Sequence, residues 1–151
     1  KRIWLVRNEI YVFYRSAHAV VVSTSGKFLV LVGSEWPERP DRSLRPDLIG
    51  GKIEYGESPE QSLIREITEE SGLELDIDQT HLVLQVTVSA APEIGYWHHY
   101  FYIARSTSED VTLSWEHVEH RWVDLDEFVA TDWRPNQRKV VDYIYGEGLL
   151  E

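Results

Sequence analysis

Apolar, β-branched side chains are grouped along the chain into short runs that polar turn residues separate. Residues 19–22 and 28–32 are two such runs, and the polar sequence Ser-Thr-Ser-Gly lies between them. Two runs of this length joined by a short polar segment predict a β-hairpin. We expect further strands in the other segments rich in aromatic and β-branched residues, which are residues 3–14, 82–88, 96–104 and 118–123.

Two segments carry the signals of helices. In the first, Ser58 suits the N-cap position, Pro59 the first helical position, and Gln61 the closing position of a capping box. Gly72 suits the residue just after the end of that helix. In the second, residues 136–145 have an apolar face at helical spacing, formed by Val140, Val141 and Ile144.

The order of these elements predicts the fold class. Residues 34–47 are polar and contain three prolines, which predicts a loop, and residues 124–127 predict a short acidic turn. The chain therefore alternates strands, a helix, strands and a helix. This order predicts an α/β domain with a mixed central sheet and helices on both faces. A chain of 151 residues fits one domain, and no repeat or linker interrupts it.

The first predicted helix carries three carboxylates on one face. Glu66, Glu69 and Glu70 are spaced i, i+3 and i+4, so they are neighbours on the helix surface and repel one another. The adjoining arc is apolar and is expected to face the core; it consists of Leu63, Ile64 and Ile67. A solvated helix face would explain the glutamates alone, whereas a divalent cation bound over them would also offset their repulsion. Oxygen ligands suit Mg²⁺, Mn²⁺ or Ca²⁺ rather than zinc.

Composition excludes several classes of function. The formal net charge of −11 disfavours contact with duplex nucleic acid or with an anionic membrane. The absence of cysteine excludes disulfides and thiolate metal sites. No apolar run approaches the roughly 20 residues that span a bilayer, and we expect a cytoplasmic protein. The chain begins at Lys1 and contains no Met, so we expect that the natural start of the protein is missing from this sequence.

Residues 51–73 resemble the signature of the Nudix hydrolase family, GX5EX7REUXEEXGU, in which U is aliphatic. The match is complete at the fixed positions, which are Gly51, Glu57, Arg65, Glu66, Glu69, Glu70 and Gly72. Ile67 and Leu73 fill the aliphatic positions. Because even the commonest residues occur at only about 7% per position, a chance match to the whole signature is negligible.

The resemblance implies both a fold and a chemistry. It implies the Nudix fold, an α/β/α sandwich, as one domain over residues 1–151. It also implies Mg²⁺-dependent hydrolysis of a phosphoanhydride bond, with Mn²⁺ as an alternative metal ion. The implied metal ligands are the Gly50 carbonyl and the carboxylates of Glu57, Glu66, Glu69 and Glu70.

The resemblance also implies roles around the metal site. Arg65 would pair with a glutamate of the motif and orient it. The general base would be Glu69, or an acidic residue from a later loop, for which Glu116 is the first candidate and Glu119 the alternative.

The substrate class is less closely defined than the chemistry. Residues 50–61 look like the MutT branch, which acts on oxidised nucleoside triphosphates, and this favours a nucleoside triphosphate. The alternatives are ADP-ribose, another nucleotide sugar, a dinucleoside polyphosphate, or a non-catalytic domain that senses a nucleotide. Relatives that act on ADP-ribose carry a proline after the motif, and those that act on dinucleoside polyphosphates carry a tyrosine. In this chain Val88 or Ser89 stands in place of the proline, and Ala90 or Ala91 in place of the tyrosine.

Candidate substrate contacts lie outside the motif. Trp36 stands in a predicted loop beside Arg39, Arg42 and Arg45, a combination that would stack a base and hold phosphates. A loop that packs on its own core, with solvated arginines, would explain the same residues. His98 lies on a predicted strand, where one of two neighbouring histidines would face the substrate. The aromatic stretch at residues 4–14 suits an edge strand or the contact of a homodimer.

Overall fold

The computed structural model describes residues 2–6 and 9–150, and in that part of the chain eight strands and three helices are formed. The strands are β1 (Arg2–Val6), β2 (Glu9–Val22), β3 (Phe28–Gly33), β4 (Pro46–Asp47), β5 (Ile49–Lys52), β6 (Leu75–Ser89), β7 (Gly95–Ser106) and β8 (His117–Val123). The helices are α1 (Pro59–Ser71), α2 (Leu125–Ala130) and α3 (Pro135–Gly146).

Strand β2 organises the sheet, because it is long enough to pair with different strands along its length. One edge of β2 pairs with β7 in parallel from Val12 to Val22. Its other edge pairs antiparallel with β1, then with β5, and at Val22 with β3. Strands β4 and β8 extend the sheet from β3, and β6 extends it from β7. The predicted mixed sheet is therefore confirmed.

Alternation along β2 divides the core into two layers. Val20 and Val22 face one layer, which includes the buried residues of α3 predicted from their spacing, namely Val140, Val141 and Ile144. Ala19 and Val21 face the other layer, which is covered by Leu63 and Ile67 of α1. Helices thus cover both faces of the sheet, and the expected α/β/α arrangement is confirmed.

Several predicted boundaries were wrong. The single strand expected over residues 3–14 is instead divided between β1 and β2, and its residues 7 and 8 lie outside the described part of the chain. The strand expected at 82–88 begins at Leu75. The acidic turn expected at 124–127 is the start of α2, because the Asp124 side chain accepts a hydrogen bond from the Glu127 N–H and caps a helix. Among the described helices, none is long and apolar enough to cross a membrane.

Candidate functional site

The capping interactions of α1 fix the position of its carboxylates. Ser58 Oγ accepts a hydrogen bond from the Gln61 N–H at 3.1 Å, and Gln61 Oε1 accepts one from the Ser58 N–H at 2.9 Å. Gly72 has a φ of 71°, a left-handed conformation that favours glycine at this end of the helix. The predicted N-cap, capping box and C-terminal glycine are therefore confirmed.

The three glutamates of α1 differ sharply in exposure. The side chain of Glu69 is 59% exposed, that of Glu66 is 14% exposed, and that of Glu70 is only 2% exposed. A purely solvated helix face would leave all three in water. Glu70 instead points into the protein, where its Oε2 accepts a hydrogen bond from the Gly50 N–H at 3.0 Å.

Burial and neighbouring negative charges disfavour the ionised form of Glu70. Burial, together with the charges of Glu66, Glu116 and Asp47, raises the pKa of Glu70 to about 9, although the hydrogen bond from the Gly50 N–H opposes this change. The pKa of Glu66 is also raised by burial, although the hydrogen bond from Arg65 opposes this change. A cation bound among these carboxylates would offset the excess of negative charge.

The two glycines before α1 allow a close approach on each of them: the backbone of β2 lies against Gly50, and the carboxylate of Glu66 lies against Gly51. Gly50 has a φ of 140°, and a Cβ on it would lie 2.2 Å from the carbonyl oxygen of Ala17 on β2. A Cβ on Gly51 would lie 2.6 Å from the carboxyl carbon of Glu66. Glycine is therefore required at position 50 for strand pairing, whereas a side chain at position 51 would displace the carboxylate of Glu66.

Arg65 connects the glutamates of the motif. Its Nε and Nη2 donate to the two carboxylate oxygens of Glu57 at 2.7 and 2.9 Å, and its Nη1 donates to Glu66 at 2.9 Å and to Glu69 at 3.2 Å. These bonds hold the pKa of Glu57 below its ordinary value. The structure thus makes Glu57 a bidentate partner of Arg65, while its assignment as a metal ligand stays a prediction.

Glu116 lies within electrostatic reach of the carboxylates on α1. Its charge acts on both Glu66 and Glu70, and its backbone carbonyl accepts a hydrogen bond from the Ser34 N–H at 2.9 Å. Glu119, the alternative base, is exposed on β8 and lies 3.7 Å from Arg121. The structure brings Glu116 to the cluster and places Glu119 in a surface ion pair.

A buried polar group next to the cluster was not predicted from the sequence. The Asp47 carboxylate accepts hydrogen bonds from His117 Nε2 at 3.0 Å, from Arg134 at 2.8 Å and from Gln137 at 2.8 Å. Burial alone would raise the pKa of Asp47, but the hydrogen bond from His117 and the charge of Arg134 outweigh it and lower that pKa. These partners are 70 or more residues from Asp47 in the chain, so no local pattern could identify them.

The predicted substrate contacts in the loop before β4 have partners of their own. Arg39 donates to the Asp41 carboxylate at 3.0 and 3.1 Å, and Arg45 lies 3.7 Å from the Asp132 carboxylate. Of the three arginines, Arg42 has its guanidinium over the Trp36 ring, 5.3 Å from the ring centroid.

Trp36 also contacts a tryptophan to which the sequence reasoning gave no substrate role. The ring centroids of Trp36 and Trp115 are 5.2 Å apart. Trp115 is 73% exposed and directly precedes Glu116. The two loops that carry these residues are joined by the hydrogen bond between Ser34 and Glu116.

The neighbouring histidines of β7 point to opposite faces of the sheet. His98 bonds to Thr87 and Gln85 and packs on Tyr100, on the face that α1 covers. His99 packs between Trp97 and Phe101 on the opposite face.

His18 also packs on Phe101, and therefore lies on the same face as His99. Burial lowers the pKa of His18 to about 4 and lowers that of His99 as well, so both imidazoles are neutral at neutral pH. His99, and not His98, therefore lies on the same face of the sheet as His18. His18 on β2 is the register partner of Gly50 on β5.

The arrangement suits a hard divalent cation chemically, although the side chains are turned toward protein partners. Within residues 2–6 and 9–150, no three histidine, aspartate or glutamate side chains are arranged to hold an ion. Glu66 and Glu69 share Arg65, and Glu70 bonds to Gly50. The charged groups that act on the buried Glu70 carboxyl are carboxylates, and their oxygens are ligands that suit Mg²⁺ or Mn²⁺.

Comparison with known proteins identifies similar sequences and structures. The profile described as NUDIX domain matches residues 12–144. An uncharacterised Nudix hydrolase of Bacillus subtilis (strain 168), YvcI, is 31% identical over 104 residues, which are 67% of this chain and 65% of that protein. The chain therefore spans just under two thirds of the length of this relative.

Solved structures share the fold over most of their length. The crystal structure of a MutT protein from Methanosarcina mazei Go1 has a TM-score of 0.72 and 25% identity, covering 91% of this chain and 96% of that one. The solution structure of the ORF135 protein of E. coli has a TM-score of 0.71 and 19% identity, covering 90% and 91%.

Proposed function

Because the chain belongs to the Nudix hydrolase family, whose members act on phosphorus-containing acid anhydrides, we propose that it is itself a phosphoanhydride hydrolase. Its substrate would be a nucleoside triphosphate or a related nucleoside-diphosphate-linked compound. The observation that supports this most directly is the buried Glu70 carboxyl, which lies within electrostatic reach of Glu66 and Glu116. Carboxylates grouped in this way are suited to a cation that also binds phosphate oxygens.

The residues that would hold the metal are the carboxylates of Glu66, Glu69 and Glu70 together with the carbonyl of Gly50. Glu116 would add a further oxygen from the loop before β8. Mg²⁺ or Mn²⁺ bound there would neutralise phosphate charge and polarise the phosphoryl oxygens. The net charge of −11 does not exclude an anionic substrate, because a cation bound to the carboxylates would also bind phosphate oxygens.

The protein groups would position and activate the attacking water. Arg65 donates to one oxygen of Glu69 at 3.2 Å, and the Glu69 side chain is 59% exposed, so water reaches it. Glu69 would therefore accept the proton of the water as its oxygen bonds to phosphorus and the bridging P–O bond breaks. Glu116 is the second candidate for this proton, because its charge also reaches the cluster.

The nucleoside half would lie against the aromatic pair formed by Trp36 and Trp115. An exposed indole offers a face on which a base can stack, and Trp115 is one residue from Glu116. Arg39, Arg45 and His98 stay as predicted contacts, although each has a protein partner. The identity of the base and the bond that is cleaved are open in this proposal.

The first experiment measures phosphate and pyrophosphate release with Mg²⁺ across a substrate panel. The panel contains ordinary and 8-oxo nucleoside triphosphates, ADP-ribose, nucleotide sugars and diadenosine polyphosphates, with Glu70→Gln as the blank. Turnover of a triphosphate far above the other compounds, and absent in the blank, would support the proposal. Preference for ADP-ribose or a dinucleoside polyphosphate would show that the proposed substrate class is wrong. Tight binding of a nucleotide without turnover would identify a nucleotide sensor.

Two further predictions concern assembly and location. A homodimer stays a prediction, supported by three exposed side chains of β1, namely Ile3, Trp4 and Leu5. Light scattering on wild type and on Leu5→Lys would test it, since a dimer through β1 should dissociate in the variant. A cytoplasmic location also stays a prediction, and imaging of the tagged natural protein would test it.

A further inference from the structure

The buried Asp47 carboxylate is held from two different elements of the fold. His117 reaches it from β8, while Arg134 and Gln137 reach it from the start of α3. Three donors at 2.8 to 3.0 Å fix both oxygens of the carboxylate. Asp47 is therefore a rigid acceptor rather than a group free to change its contacts.

The hydrogen bond from Asp47 also fixes the imidazole of His117. Because a carboxylate accepts, Nε2 of His117 is the nitrogen that carries the donated hydrogen, and Nδ1 is turned to the opposite side of the ring. Nδ1 is shielded from solvent and makes no hydrogen bond. It lies 3.8 Å from Oε1 of Glu70, which is too far for a hydrogen bond but close enough to limit the position of that oxygen.

Each oxygen of Glu70 therefore has one fixed protein neighbour. Oε2 receives the Gly50 N–H at 3.0 Å, and Oε1 faces His117 Nδ1. The side chains of His117 and Glu70 are 1% and 2% exposed, so water does not compete for these places. The carboxyl of Glu70 thus lies between the backbone of β5 and the imidazole of His117 on β8.

We propose that Asp47 and His117 are positioning residues that hold the Glu70 carboxyl in the orientation that binds the divalent cation. This inference rests on the proposed function, because it assumes that Glu70 is a metal ligand. It adds that α3 supports the metal site at a distance, through Arg134 and Gln137 on Asp47. Groups that orient a ligand in this way typically change metal affinity by about 10- to 100-fold when they are removed.

A purely structural role is the competing explanation, since the same bonds tie α3 to β4. It predicts that variants lose stability while the folded protein binds metal normally. The positioning role predicts weaker metal binding in protein that is still folded. The two are separated by measuring Mn²⁺ affinity by calorimetry without substrate, next to thermal unfolding of the same samples.

The variants are His117→Phe, which keeps the ring volume, and Arg134→Met, which removes one of three supports of Asp47. Arg138→Met is the matched control, because Arg138 is on the same helix and bonds to Thr131 and Asp142 but not to Asp47. We expect a Kd for Mn²⁺ at least about 10-fold higher in His117→Phe, a smaller increase in Arg134→Met, and less than a twofold change in the control.

The outcomes separate this inference from the proposed function. Wild-type affinity in both His117→Phe and Arg134→Met would overturn the positioning role while leaving the hydrolase proposal intact. If His117→Phe does not fold, the Mn²⁺ affinity of Arg134→Met tests the positioning role. Arg134 is partly exposed, so its replacement should destabilise the fold less. Failure of wild type to bind Mn²⁺ would overturn both proposals. Turnover plays no part in this measurement, so an incorrect choice of substrate does not affect it.

Discussion

The carboxyl of Glu66 fills the space that a side chain on Gly51 would need. An ideal Cβ at Gly51 would lie 2.6 Å from both the carboxyl carbon and Oε1 of Glu66. Glu66 cannot move away freely, because Arg65 holds its Oε1 at 2.9 Å. The second glycine of the pair therefore determines where a proposed metal ligand lies.

Gly51→Ala is expected to reduce kcat/KM by about 100-fold, since displacing a group at a reacting centre by about 1 Å costs about that much. Gly51 does not have a positive φ, so the added methyl should displace Glu66 rather than strain the backbone. Steady-state kinetics with Mg²⁺ would measure the change. Gly146→Ala is the control, because a Cβ there meets no atom within 4 Å; equal activity of the two variants would contradict the steric argument.

Arg65→Lys is expected to lower turnover by about 10- to 100-fold although the charge is kept. The planar guanidinium bonds to Glu57 through two nitrogens and still reaches Glu66, whereas a single ammonium group cannot make this set of bonds. Turnover of Arg65→Lys and of Glu57→Gln would be compared with that of the control Arg138→Lys. Arg138 forms a surface ion pair with Asp142. Wild-type turnover in Arg65→Lys would show that the network has no role in orientation.

Glu69→Gln and Glu116→Gln separate the two candidates for the general base. Because both side chains are also proposed metal ligands, the variant that lacks the base should still lose turnover by about 100-fold or more when Mn²⁺ is saturating. Single-turnover kinetics and metal titration of the same samples would distinguish loss of the base from loss of a ligand. Glu119→Gln should behave as wild type, because that side chain pairs with Arg121 on the surface; a large loss there would shift the assignment to Glu119.

The contribution of Glu70 to the stability of the protein without divalent cations should fall as the pH rises. The pKa of Glu70 is raised to about 9 in the folded state, above an unfolded value near 4.3. The folded state therefore binds more protons between these values, and the stability from Glu70 is complete below about pH 4 and is lost as the pH rises to about 9. The contribution to the slope cannot exceed about 1.4 kcal/mol per pH unit.

Urea unfolding in EDTA at several pH values would measure this slope, with Glu70→Gln as the comparison. The difference in stability between wild type and the variant should decrease with rising pH, since glutamine has no proton to lose. Mg²⁺ should reduce the slope in wild type if it binds the ionised carboxyl. Parallel pH dependence of the two proteins would contradict the raised pKa.

Trp115→Ala is expected to raise KM by about 10-fold or more with a smaller effect on kcat, because stacking of a base on an aromatic ring contributes about 1–3 kcal/mol. Steady-state kinetics on the best substrate of the panel would give both constants. Trp4→Ala is the control, as Trp4 is also an exposed tryptophan but lies on β1. An unchanged KM in Trp115→Ala would move the base-binding surface elsewhere, and the face that carries His18 and His99 would be tested next.

Local signals predicted the parts of the fold and the site that depend on neighbouring residues. The cap at Ser58, the end at Gly72 and the shared face of Glu66 and Glu70 follow from hydrogen bonds and periodicity within one helix. Interactions that depend on a long strand were less predictable. The strand from Glu9 to Val22 is long because β7 pairs with it from Val12 onward, and a partner 83 residues away leaves no local mark.

The sequence by itself determined the family, the helix that carries the carboxylates and the chemistry of its ligands, because these depend on residue type and on spacing along one element. Only the tertiary structure decided which carboxylate is buried, since Glu66, Glu69 and Glu70 look equivalent until β5 and β8 enclose the third of them. It also placed His117 between Asp47 and Glu70. Burial and contact between distant segments are properties of the packed chain, and they set the pKa and the orientation of each group.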